Sequence, residues 1–204
     1  MLADRDPFAA QDISPRRRAL DRAAQAVFVT TQEFLAAHWL FLVNTTLGLY
    51  IGLAVLSPLA SAAGLAPLGR FLFSAYAYAC HQLPGRSFFL AGYQVAFCER
   101  DVAIYSSMFL TGLFYATRRR RIRRLPLWVY LMALVPIALD GGTQLFGWRE
   151  STWELRVLTG AIFGVASVWF LFPYMEFTID ELASPGPAGR EAALPGRPPA
   201  VAEE

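Results

Sequence analysis

Cys80, His81, Cys98 and Asp140 are the side chains of this apolar chain best suited to nucleophilic, acid–base or metal chemistry. Cys80 and His81 open a polar stretch that continues through Gln82, Pro84, Arg86 and Ser87 and closes on Cys98-Glu99-Arg100-Asp101. Hydrophobic segments seldom enclose such groups without a purpose. Three chemistries fit the cysteines. A Cys80–Cys98 disulfide would close a loop of roughly 19 residues and contribute about 3 kcal/mol. A metal ion could take Cys80, His81 and Cys98, although no zinc-ribbon or finger spacing is present. A thiol catalyst would use Cys98 with His81, its pKa lowered by Arg86 or Arg100. The absence of Cys-x-x-Cys weakens a disulfide-oxidase reading.

Asp140 is the remaining chemical candidate. A carboxylate in an apolar span must be paired or functional. Gln144 lies one turn beyond it on the same helical face, and Gly141-Gly142 allows close approach. Arg156, just before Thr159-Gly160, is the expected ion-pair partner. Arg86, Arg100, Gln144 and Arg156 are the candidate binding residues, and their guanidiniums suit an anionic headgroup or a phosphate.

The elements that must position these residues are membrane helices. The chain has 204 residues, 55% of them hydrophobic, with a net charge of only +2. That composition excludes an ordinary soluble domain. Spans are expected over 39–59, 102–117, 125–146 and 157–174. Ser14-Pro15 starts an amphipathic helix that lies on the membrane surface or leads into the first span. Residues 60–101 form an outer-face or re-entrant segment. The expected architecture is therefore all-α: an N-terminal segment (1–38), a four-span domain (39–180) and a disordered tail (181–204).

Arginines set the orientation. Arg5, Arg16, Arg17, Arg18 and Arg22 precede the first span, and six more fall within 118–124. Both groups belong inside under the positive-inside rule, so both termini are expected in the cytoplasm. The Cys80–Asp101 stretch then meets Asp140, Gln144, Arg149 and Arg156 at the outer face. The arginine run is a topology signal that touches lipid headgroups, and nucleic-acid binding is not expected. His38 falls on the opposite side.

Four ordered motifs carry a resemblance. Cys80-His81-Gln82-x-Pro84-x-Arg86-Ser87, Cys98-x-Arg100, Asp140-Gly141-x-x-Gln144 and Arg156-x-x-Thr159-Gly160 together resemble the domain of unknown function 2085 family of small bacterial and archaeal membrane proteins. The resemblance covers about residues 70–165. It implies a polytopic membrane protein and one shared site, but no established activity. The family often has a second Cys after Cys-x-Arg, where this chain has Asp101.

Two function classes follow. One is an accessory or assembly subunit of a membrane complex, with the lipid bilayer, other membrane subunits or further copies of itself as partners. The other is a small membrane enzyme or metal/redox protein acting on an anionic or lipid substrate, with a metal ion as the one cofactor its residues could hold. The expected location is a bacterial inner membrane.

Overall fold

The long aliphatic runs fold as helices, and the segment carrying the first two motifs does not. The computed structural model describes residues 14–183. Residues 1–13 and 184–204 lie outside the described residues; of the expected tail (181–204), residues 181–183 are described and are helical, the last of α5. The elements are α1 (Pro15–Ala62), α2 (Ala66–Tyr76), a 3-10 turn (Pro84–Arg86), β1 (Ser87–Leu90), β2 (Tyr93–Cys98), α3 (Glu99–Arg118), α4 (Leu127–Leu145) and α5 (Trp153–Ala183).

One expectation needs correction. The chain is not all-α, because residues 87–98 form an antiparallel hairpin with Leu90 opposite Tyr93 and Ser87 opposite Cys98. Aromatic and β-branched residues flank Ala91-Gly92, whose φ angles are +49° and +81°. Positive φ at both central positions suits a tight hairpin turn, so the backbone doubles back on itself here. Of the two alternatives for the helix that starts at Pro15, the one that leads into the first span holds: helix and span form one unbroken helix, α1. Among the described residues, those up to Trp39 make one compact unit and those from Leu40 onward a second.

Within the second unit, small residues set the helix packing. On α5, a Cβ at Gly160 would stand 2.8 Å from the Arg100 carbonyl, and one at Gly164 would stand 2.5 Å from the Ile104 carbonyl. The spacing Gly160-x-x-x-Gly164 lets two membrane helices approach closely. Successive contacts rise together along both helices, so α3 and α5 run parallel. The Asn44 amide of α1 donates to the Gly112 carbonyl at 3.3 Å, and Gly48 faces Phe109. Tyr50 meets Tyr105 at 4.8 Å. These contacts run in opposite directions along the two chains, so α1 is antiparallel to α3.

Two helices among the described residues, Pro15–Ala62 and Trp153–Glu181, have the length and hydropathy of a membrane span. α3 and α4 also leave large apolar side chains outward, Leu110 63% exposed and Met132 63% exposed among them. Apolar surface of this extent belongs against lipid or another protein.

Candidate functional site

The hairpin hangs on Gln82. Its side-chain amide donates to the Phe73 carbonyl at 2.7 Å and to the Ala96 carbonyl at 3.0 Å. Its backbone carbonyl accepts from the Gln94 side chain at 2.7 Å. Gln82 adopts a φ of +50° and ties the end of α2 to β2. Ser87 completes the latch, donating to the Leu83 carbonyl and accepting from Gln94. Gln82 and Ser87 of the first motif thus act on the backbone.

The latch places Cys80 beside Cys98. The Cys98 amide donates to Cys80 Sγ at 3.3 Å. The two sulfurs and a carboxylate oxygen of Asp101 all lie within 4.8 Å of one another. Beneath them lies an apolar floor. Phe97 is fully buried and packs on Tyr50, Tyr76 and Tyr105 with ring centroids 4.7–5.3 Å apart. Asp101 and Glu99 occupy the first turn of α3, where the helix dipole favours negative charge. Both cysteines are free thiols, so the disulfide expected as one alternative is not formed. His81 is exposed and stands outside this ligand group; Asp101 takes the third place.

The thiols are electrostatically unequal. A hydrogen bond with Cys98 holds Cys80 below the ordinary thiol value, assisted by backbone N–H groups of Gln82 and Cys98, while burial opposes. Cys98 is pushed far upward, first by that shared hydrogen bond and then by burial.

The acidic and basic motif residues form an adjoining network. Asp140 is 3% exposed. It accepts from Arg100 at 2.5 Å, Arg149 at 2.7 Å and the Ser151 hydroxyl at 2.6 Å. Arg156 pairs with Glu99 at 2.8 Å and also donates to the Ser151 carbonyl. The expected Asp140–Arg156 pair is therefore replaced by Arg100–Asp140 and Glu99–Arg156. Glu150 links the rest, accepting from Gln144 at 3.1 Å and from Arg86 at 3.0 Å. The Gln144 hydrogen bond, followed by the charge on Arg86, holds the Glu150 carboxyl below its ordinary value. Arg86, Arg100, Gln144 and Arg156 are thus brought together, each engaged by protein groups. The Nε atoms of Arg100 and Arg156 are buried without an acceptor, so each guanidinium is committed through its Nη atoms.

Residues 80–170 match the family model described as predicted membrane protein (DUF2085). An uncharacterised protein of Methanocaldococcus jannaschii is 39% identical over 104 residues, covering 50% of this chain and 67% of that protein. Another, from Methanothermobacter thermautotrophicus, is 32% identical over 90 residues, covering 44% of this chain and 81% of its own. The chain belongs to the DUF2085 family. No solved structure is significantly similar. The DUF2085 match opens at Cys80 and ends within α5, so it takes in the hairpin, both thiols and the ion-pair network. Both relatives are archaeal, and the expected bacterial inner membrane gives way to the coarser statement of a membrane protein family.

The sequence reading passed over Glu99, Glu150 and Ser151 as partners, and treated Asp101 only as a departure from the family pattern. Acidic residues at 99 and 101, flanking Arg100 at a helix start, were the available signal.

Proposed function

We propose that this DUF2085 protein is a four-span membrane protein whose motif face holds a transition-metal ion between Cys80, Cys98 and Asp101. The observation that carries the reading is the convergence of the three ligand atoms within 4.8 Å. Two thiolates and a carboxylate make a soft-to-borderline set suited to zinc and its neighbours. Three protein ligands leave a fourth position for water or substrate, the pattern of a reactive site. The metal would displace the proton that Cys98 holds tightly in its absence.

The four crossings would be α1, α3, α4 and α5, with both termini in the cytoplasm. The directions of α1, α3 and α5 support this count. So does the spacing of charge. Glu99 pairs with Arg156 at one end of α3, and Arg119 pairs with Glu176 at 2.7 Å at the other. Twenty helical residues, about 30 Å, separate the two ends, close to the thickness of a hydrocarbon core.

Elemental analysis of protein purified from metal-supplemented cells tests the reading. About one ion per chain is expected in the wild type, with loss in Cys80→Ser, Cys98→Ser and Asp101→Asn. A wild type free of zinc, copper, nickel and iron would sink it.

The ion-pair network favours a second reading, an accessory subunit. Arg86, Arg100 and Arg156 are each paired with a carboxylate of the same chain, as expected of a brace that presents a fixed surface. Co-purification of other membrane subunits in mild detergent would support it, and a chain that purifies alone would count against it.

A further inference from the structure

The motif arginines are the obvious anion receptors, yet their charges are already taken by Glu150, Asp140 and Glu99. Arg70 is different. No other Asp, Glu, Lys or Arg occurs between Glu33 and Arg86. It stands exposed on α2 and has no ion-pair or hydrogen-bond partner among the described residues. It lines a pocket of about 350 Å³ between the end of α1, α2 and the start of β2.

The pocket wall is rich in donors. Ser57 and Ser61 spend their hydroxyl protons on the Gly69 and Ser57 carbonyls. Gln94 spends its amide on Gln82 and Ser87. The Ser74 and Tyr93 hydroxyls have no partner among the described residues, and no carboxylate lines the pocket. Gly69 keeps α2 against α1, since a Cβ there would stand 2.0 Å from Ser61 Oγ. One unpaired guanidinium, two free hydroxyls and no acid describe an oxyanion receptor. The volume falls at the lower end of small-molecule pockets, about 300–1,000 Å³.

We infer that this pocket binds a phosphate-bearing anion, with Arg70 supplying charge and Ser74 and Tyr93 supplying hydrogen bonds. The phosphate could belong to an anionic lipid headgroup or to a free phosphate compound. The inference is independent of the metal reading, and Arg70→Gln should leave metal content unchanged.

The test uses the full chain in nanodiscs and reads thermal unfolding. One arm titrates inorganic phosphate against chloride at constant ionic strength in phosphatidylcholine discs. The other replaces part of the phosphatidylcholine with phosphatidylglycerol. Stabilisation by phosphate assigns a free compound, and stabilisation by phosphatidylglycerol alone assigns a headgroup. In either case Arg70→Gln should weaken the effect at least ~10-fold, equivalent to 1.4 kcal/mol, and Arg70→Lys should retain part of it. Should Arg70→Gln fail to fold, Ser74→Phe fills the pocket while keeping the charge, and should abolish the same response. If neither addition stabilises the wild type, or if the variants respond equally, the inference is overturned.

Discussion

Asp140→Asn measures what the buried network is worth and which arginine it serves. The substitution keeps the shape and removes the charge that Arg100, Arg149 and Ser151 share. Breaking a buried ion pair from one side costs about 3–5 kcal/mol. The Arg149 side chain is 40% exposed and can turn to water, and Arg100 keeps its hydrogen bond to Gln144. The lower end of the range therefore applies, about 3 kcal/mol. A double-mutant cycle with Arg100→Met should give a coupling of about 1.5–2 kcal/mol, as expected for groups in direct contact. The matching cycle with Arg156→Met should give a smaller coupling, because Arg156 and Asp140 do not touch and share only the intervening Ser151. Equilibrium unfolding of the purified protein in detergent provides the free energies. If Asp140 couples more strongly to Arg156 than to Arg100, the assigned pairing is wrong.

Gly164→Val drives a side chain against the Ile104 carbonyl and should cost at least about 2 kcal/mol in the same unfolding assay. Gly142→Ala, where a Cβ meets nothing within 4 Å, should be neutral or stabilising by up to about 1 kcal/mol. Gln82→Ala removes the latch between α2 and β2 and should cost about 1–3 kcal/mol; maleimide should then label Cys80 and Cys98 faster than in the wild type. Glu150 sits below its ordinary value of 4.5, so its stabilising effect is present above that pH and lost as pH falls below it. The melting-temperature advantage of wild type over Glu150→Gln should therefore appear at pH 7 and fade below about pH 4.5.

The sequence was most legible where one periodic signal dominates. Runs of apolar residues placed α3 and α4 within a few residues, because long apolar segments have few alternatives to a helix; α5 was placed at its start but runs on to Ala183, well past the expected end at 174. The motif segment was less legible. Its aromatic run is too short to separate strand from helix by period alone, and Ala91 hid a positive-φ turn position that Asn or Gly would have announced. Arg86, Arg100, Asp140, Gln144 and Arg156 do lie in one network, and the short connections joining α3, α4 and α5 help to bring them there. The pairing within the cluster was not foreseen, because span order constrains depth in the membrane and says nothing about rotation around each helix axis.

That rotation was nevertheless encoded. Arg156, Gly160 and Gly164 recur every four residues, so they share one face of α5. The two glycines can serve only a close helix neighbour, and that neighbour is α3, reached at Arg100 and Ile104. Arg156 must therefore also face α3, where Glu99 waits in the first turn. Asp140 on α4 is left to Arg100, which its own helix turns the other way, past Gly141 with a Cβ-to-guanidinium distance of 3.5 Å. The parallel packing that fixes this register also holds the N-terminus of α3 at the motif face. Cys98 and Asp101 flank that terminus, so the small-residue seam between α3 and α5 determines where the thiol pair and its carboxylate meet.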